Sequence, residues 1–345
     1  MKNLVASILI FACLIVCQSG SAQFLEQNCG VRAGSESLLK PKIIDGSNAE
    51  ITSSPWMAYL HTSPDFVCSG TLIHNQFVLT AAHCIRDRET LKVRLGDYNR
   101  RTSTDCSEAE AGCLPPAEEY DVDMAIKNRF YNRNVHPNDI GLLRLARKVQ
   151  FKMHIRPICL IMDPRVTPMV ETLSWFNATG WGKTRSGSTS AVLQTITLDR
   201  YRRNVCNDQF RVSLATNQFC AGHRTGNLCN GDSGGPLGRV VKYQGLERYV
   251  QFGIASYTTR NCVGPSVYTG VVSHAEWIAR VIKLFNNPAP TNNLLSSQKL
   301  EGQKTNPLSR KNLEGERPTS EDSDAQKSEE EARNSTDIVA QNSLY

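Results

Sequence analysis

A histidine, an aspartate and a serine stand in three short segments of this chain: Thr80-Ala81-Ala82-His83-Cys84, Asn138-Asp139-Ile140-Gly141-Leu142-Leu143 and Gly231-Asp232-Ser233-Gly234-Gly235-Pro236. Those residue types can form a nucleophilic relay. A serine hydroxyl is a poor nucleophile at neutral pH and needs a base to take its proton. An imidazole serves as that base if a buried carboxylate fixes its tautomer and stabilises the imidazolium. The oxyanion that follows needs backbone N–H donors, and a glycine two residues before the serine leaves such amides uncovered. The chemistry implied is acyl transfer, and it requires no cofactor.

The elements that must hold these groups read as strands. Short apolar runs split by turn residues recur after Ile43, among them Gly70–Phe77, Leu91–Leu95, Ile140–Leu145, Val192–Leu198 and Gln251–Ser256. That spacing predicts an all-β barrel or sandwich pair. Ser273–Phe285 is the clearest helix. Ser273 and Glu276 form a capping-box pattern, and Trp277, Ile278, Val281, Ile282, Leu284 and Phe285 make an apolar stripe, read as core packing.

The ends differ from the middle. Met1–Ala22 has the layout of a secretory signal peptide: Lys2, an apolar stretch from Leu4 to Cys17, then small residues. It is too short and too quickly followed by polar residues to suit a membrane anchor. Residues 23–42 form a short polar pro-segment, residues 43–286 the catalytic region, and residues 287–345 a tail of Asn, Ser, Gln, Glu, Lys and Pro. The tail's apolar content cannot offset its chain entropy, so it is expected to be disordered. An extracellular location follows, with no membrane partner.

Of 12 cysteines, Cys13 and Cys17 leave with the signal, and an even set of ten remains. In an exported chain this implies disulfides, and no Cys-x-x-Cys pattern suggests zinc. The formal charge of +6 loses one with Lys2 and gains three when the tail, with seven basic and ten acidic residues, is set aside, leaving about +8. No basic run is interleaved with aromatics, so nucleic acid is not an expected partner.

Taken together, the three segments and their order resemble the chymotrypsin-like serine proteases. The resemblance implies two six-stranded Greek-key barrels with the catalytic groups at their seam and a closing helix. It implies that His83 is general base and then acid, that Asp139 orients it, that Ser233 attacks, and that the amides of Gly231 and Ser233 form the oxyanion hole. It suggests the pairings Cys68–Cys84, Cys206–Cys220, Cys229–Cys262 and Cys29–Cys159, leaving Cys106 and Cys113 to close a small loop. A further bridge common in the family is replaced by Phe176 and Arg239. The family makes inactive precursors. Here the cut would fall at Lys42–Ile43, made by a protease of trypsin-like preference, and the new Ile43 ammonium would pair with Asp232. His136 is placed near the cleft wall, where substrate contact and a bystander role both stay open.

Asn227, Ser256, Tyr257, Thr258 and Ser266 would surround the primary specificity pocket. Trypsin-like members carry aspartate where Asn227 stands, and the pocket walls at Thr258 and Ser266 are often glycine. Small or uncharged residues before the cut bond are therefore expected. The insertion Asp97–Asp121 resembles that of arthropod clip-domain proteases of immune and developmental cascades, although after the signal only Cys29 precedes Ile43, where a clip module needs six cysteines. Protein substrates, an activating protease and serpin-type inhibitors are the partners this implies. Asp97 and Glu118, with Asn99, match a calcium loop; a solvated acidic loop is the equal alternative. Asn177 and Asn334 begin glycosylation sequons, the first in a segment where a strand would block it. A non-catalytic homologue that acts as a binding cofactor is the alternative function, although no triad member is replaced.

Overall fold

The computed structural model describes residues 24–32, 46–62, 66–87, 89–107, 112–184, 186–243 and 245–286. The signal segment, the Lys42–Ile43 bond, the tail and the Asn334 sequon lie outside the described residues.

Fifteen strands are described. In chain order they are β1 (Ser47–Asn48), β2 (Met57–His61), β3 (Phe66–His74), β4 (Phe77–Thr80), β5 (Lys92–Leu95), β6 (Cys106–Ser107), β7 (Gly112–Cys113), β8 (Glu118–Lys127), β9 (Gly141–Leu145), β10 (Trp175–Gly180), β11 (Gln194–Tyr201), β12 (Gln218–His223), β13 (Pro236–Tyr243), β14 (Leu246–Thr258) and β15 (Gly264–Gly270). Three helices accompany them: α1 (Thr167–Glu171), α2 (Arg203–Phe210) and α3 (Ala275–Phe285). The first barrel closes in the order β2-β3-β4-β9-β8-β5. The second runs β11-β10-β13-β14-β15-β12 and closes through the β11–β12 pairing, with β1 added outside β11. All these pairings are antiparallel.

Burial marks the seam between the barrels. A strand with one wet face alternates, as β8 does. β4 is instead buried at all four positions and β14 from Tyr249 to Thr258, because a second body covers the outer face. Trp56 from the first barrel stacks on Tyr249 of the second, 4.7 Å between ring centres. Fully burying a side chain of this kind contributes about 2–3 kcal/mol.

Five disulfides lie in the described chain: Cys29–Cys159, Cys68–Cys84, Cys106–Cys113, Cys206–Cys220 and Cys229–Cys262. Cys106–Cys113 ties β6 to β7 within the insertion. Residues 24–32 are held by more than Cys29. Leu25 N–H donates to Leu160 (3.1 Å), Gly30 N–H to Pro157 (2.8 Å), and Tyr249 N–H to the Gly30 carbonyl (3.0 Å). Phe176 and Arg239 flank the register pair Asn177–Gly238. Phe176 packs between Phe219 and Phe252 at 5.5 and 6.1 Å, and Arg239 covers the Trp175 ring at 4.1 Å. Ring packing and a cation over a ring stand where a covalent bridge is absent.

Two sequence expectations shift. Ser273 does not cap the last helix: it lies inside a 3-10 turn, Val272–His274, and α3 begins at Ala275 with no side-chain cap. Leu284 leaves the stripe and is 64% exposed, while Ile278, Val281 and Ile282 face the core. Ile278, Val281 and Ile282 share one face at i, i+3 and i+4, and Leu284 falls off it, so the buried stripe is narrower than the apolar count suggests. Asn177 is mid-strand, paired on both sides by β11 and β13, and its Oδ1 accepts from Thr197 Oγ1 at 2.9 Å.

Candidate active site

His83 sits on a 3-10 turn, Ala82–Cys84, directly after β4, and the neighbouring Cys84 is tied back to β3 through Cys68. Asp139 immediately precedes Ile140 and β9, at the end of a loop in which His136 and Asn138 both take left-handed backbone angles (φ 48° and 53°). β4 and β9 are neighbours in register, Thr80 opposite Gly141, so the two loops leave the barrel side by side. His83 Nδ1 lies 2.7 Å from Asp139 Oδ2, and the His83 backbone N–H donates to Oδ1 at 3.0 Å.

A third group completes the carboxylate's shell. The Ser256 hydroxyl donates to Asp139 Oδ2 at 2.6 Å. It reaches across the seam because β14 carries an irregularity between Ala255 and Tyr257 that takes Ser256 out of the pairing with β15. Burial alone would raise Asp139, which has no exposed surface; the charge of His83 and the hydrogen bonds from His83, Ser256 and the His83 amide hold it below the ordinary value. Asp139 is thus kept as an anion facing the imidazole.

Ser233 lies on the loop between β12 and β13. Gly234, the next residue, approaches the first barrel so closely that a Cβ would stand 2.1 Å from Thr80 Oγ1 and 3.0 Å from Ala81 N. The serine loop is therefore docked against the residues that lead into His83. Ser233 Oγ and His83 Nε2 are both buried, and neither has a hydrogen-bond partner among the described residues. A proton could pass between them once they come within bonding distance, which commonly tightens only with substrate bound. Gly231 takes φ +102°, open to glycine, and neither its amide nor that of Ser233 donates to another backbone group among the described residues.

Asp232 points away from Ser233 into the interior. Its Oδ1 accepts from Gly182 N–H at 2.7 Å and its Oδ2 from Cys229 N–H at 2.9 Å. Burial pushes its carboxyl up to about 6, only partly offset by those two amides. The motif Gly180-Trp181-Gly182 has its reason here. A Cβ on Gly180 would lie 2.0 Å from Asp232 Oδ1, and one on Gly182 would lie 2.2 Å from Oδ2.

Beside Ser233 is a narrow cavity of about 10 Å³, lined by Leu228, Cys229, Ala255–Thr258 and Ser266–Tyr268. Thr258 and Ser266 face each other across β14 and β15, and the Ser266 hydroxyl donates to Thr258 Oγ1 at 2.5 Å. This pair closes the slot. Asn227 does not line it. Its amide N–H donates to the Gly264 carbonyl at 2.5 Å, and its Oδ1 accepts from Leu228 N–H (2.8 Å) and the Tyr268 hydroxyl (3.3 Å). Tyr257 is buried, against Phe210 on one side and His136 on the other, 5.1 and 5.3 Å between ring centres. His136 stands edge-on to His83 at 6.1 Å, and burial lowers its pKa.

Asp97 and Glu118, the acidic pair of the expected calcium loop, each stand beside a protein cation. Asp97 is buried, with Arg94 Nε 3.0 Å from its Oδ2. Glu118 is bound to the Lys152 ammonium and to the Tyr120 hydroxyl, the latter at 2.6 Å. Protein cations already stand against both carboxylates. Asn99 Oδ1 accepts from the Arg101 amide (3.2 Å). An acidic residue that sequence reasoning passed over, Asp105, organises the loop instead, accepting from the Tyr98 and Asn99 amides and from Thr102 Oγ1 at 2.9, 3.2 and 2.7 Å. Its position next to Cys106 was the available signal.

Comparison with known proteins agrees with this geometry. The trypsin family model matches residues 43–278. Serine protease grass of Drosophila melanogaster is 33% identical over 254 residues, covering 70% of this chain and 67% of that protein. CLIP domain-containing serine protease B9 of Anopheles gambiae is 34% identical over 278 residues, covering 75% and 66%. The Spaetzle-processing enzyme of Drosophila melanogaster is 32% identical over 271 residues, covering 71% and 68%. The chain thus spans about two thirds of the length of these relatives. The crystal structure of the Drosophila Grass clip serine protease of the Toll pathway superposes with a TM-score of 0.66 at 31% identity, covering 75% of this chain and 76% of that one. Among the described residues, no helix is long and apolar enough to cross a membrane. With two closed antiparallel barrels, a histidine–aspartate pair at their seam and a matched family region running from Ile43 to Ile278, the chain belongs to the trypsin family of serine proteases.

Proposed function

We propose that this chain is a secreted serine endopeptidase made as an inactive precursor, in which Ser233 is the nucleophile, His83 the general base, Asp139 its orienting carboxylate, and the Gly231 and Ser233 amides the oxyanion hole. The observation that carries the reading is the shell of Asp139: a wholly buried carboxylate whose Oδ2 meets both His83 Nδ1 at 2.7 Å and the seam-crossing Ser256 hydroxyl, while its Oδ1 accepts from the His83 amide. A buried anion at this cost is expected where an imidazolium must be stabilised. Attack by Ser233 Oγ on a peptide carbonyl sends its proton to His83 Nε2, and the same proton goes to the leaving amine. Water then repeats the cycle on the acyl-enzyme. Cleavage at Lys42–Ile43 switches the site on, because the carboxyl of Asp232 is raised by burial and gains most from a buried ammonium.

The closed slot supports small, uncharged residues before the cut bond. Thr258 and Ser266, joined by a hydroxyl hydrogen bond, narrow the slot, and Asn227 offers no charge and has its amide committed elsewhere. Relatives named for Spaetzle processing and phenoloxidase activation support a place in an extracellular proteolytic cascade, with protein substrates, an upstream activating protease and serpin-type inhibitors as partners. The test is a peptide library cleaved by the chain cut at Lys42–Ile43. Hydrolysis after small residues is expected. No hydrolysis by the cut chain would defeat the enzymatic reading, and strong preference for Arg or Lys would defeat the pocket reading.

A further inference from the structure

β3 carries two neighbouring residues that touch opposite halves of the site. Cys68 is bonded to Cys84, next to His83. Ser69, wholly buried, reaches the serine loop: its amide donates to the Ser233 carbonyl at 2.8 Å, and its hydroxyl donates to the Gly231 carbonyl at 3.1 Å. The Ser69 carbonyl in turn accepts from Thr80 Oγ1 at 2.9 Å, on the strand that leads to His83.

We propose that Ser69 is a positioning residue whose hydroxyl sets the oxyanion amides, by clamping the Gly231 carbonyl from the first barrel. The Gly231–Asp232 peptide is held at its N–H end by the Cys229 carbonyl, 2.9 Å away, and at its C=O end by Ser69. Gly231 has no Cβ to restrict it and takes φ +102°, so the direction of its N–H depends on clamps on both flanking peptides: Lys183 N–H donates to the Asn230 carbonyl at 2.8 Å on one side, and Cys229 and Ser69 hold the other. A glycine or alanine at position 69 could still make the backbone bond to Ser233, but only a side-chain donor reaches Gly231. Without it a buried carbonyl is left unsatisfied, and the loop has reason to rotate. Oxyanion stabilisation acts in the transition state, so the effect belongs in kcat and not in substrate binding.

The inference rests on Ser233 being the nucleophile, and the test separates the two claims. Ser69→Ala and Ser69→Gly are made in the full chain and cut at Lys42–Ile43, with wild type and Ser233→Ala alongside. Active sites are counted by titration, and kcat, KM, melting temperature and inhibition by a peptide boronic acid are read. The boronate forms a tetrahedral adduct with an oxygen in the oxyanion position. Both Ser69 variants are expected to lose about tenfold in kcat per active site, with KM within twofold and boronate affinity weakened by a similar factor. A variant that folds with wild-type kcat and boronate affinity overturns the inference, as does a loss carried wholly by KM. If Ser69→Ala does not fold, Ser69→Gly alone decides by the same readings. Turnover by Ser233→Ala would instead overturn the reading beneath it.

Discussion

The histidine side and the serine side of the seam are built by different means. Asp139 is met by the His83 ring at 2.7 Å, the His83 amide at 3.0 Å and the Ser256 hydroxyl at 2.6 Å, and is held below its ordinary pKa. The serine loop is held by backbone bonds and by the Ser69 hydroxyl, and its interior carboxylate, Asp232, is pushed up to about 6 with two amides to meet it among the described residues. One half is electrostatically complete within the described chain; the other carries a buried acid that gains from a cation. A precursor divided this way can keep its base in place permanently and place the switch on the nucleophile loop alone.

The largest effect should come from the nucleophile. Ser233→Ala should lower kcat by about a millionfold, with the melting temperature nearly unchanged, as measured on the chain cut at Lys42–Ile43. Retention of a tenth of wild-type turnover would show that the serine half is not where chemistry happens.

Asp232→Asn should divide the two forms of the chain. In the cut form it should lower kcat at least a hundredfold, because the ammonium loses its counter-charge. In the uncut form the effect lies in pH dependence. An acid whose folded pKa is raised binds its proton more tightly when folded, so stability is fullest below about 4 and falls as pH rises toward about 6. Asp232→Asn should flatten the loss of melting temperature over that window. Asp97, also raised to about 6 mainly by burial, should leave some slope behind. An unchanged slope would mean that Asp232 is not the strained group.

Widening the slot should change selectivity by a smaller factor. Thr258→Gly with Ser266→Gly removes the hydroxyl bridge and should raise kcat/KM for Phe or Leu over Ala before the cut bond by about tenfold, measured with matched peptide reporters. The smallest effect should come from calcium. With Arg94 and Lys152 against Asp97 and Glu118, melting curves in calcium and in chelator should coincide within about 1 °C, whereas a bound ion in excess would stabilise visibly.

The parts of this site that were legible in sequence are those whose residues do their work locally. His83, Asp139 and Ser233 each lie in a recognisable segment, and the apolar runs mark the strands that bring those segments together. What the sequence withheld depends on register. Ser256 reaches Asp139 only because of an irregularity in β14, and nothing in the run Ala255-Ser256-Tyr257 announces one. Asn227 and Glu118 looked free to meet a ligand, but their partners, Gly264 and Lys152, are more than thirty residues away along the chain. Arg94, only three residues from Asp97, is the one such partner close enough in the chain to be legible. Ser273 satisfied a capping pattern, yet the 3-10 turn took the helix start two residues onward.

The central claim is that cleavage at Lys42–Ile43 completes the serine half. It is tested most directly by the rate at which a fluorophosphonate probe labels the chain before and after that cut, with Lys42→Gln and Ser233→Ala as controls. The account predicts slow labelling of the intact chain and of Lys42→Gln, a rise of at least a hundredfold on cutting, and all of the label on Ser233. Equal labelling before and after the cut, or label on a residue other than Ser233, would contradict it.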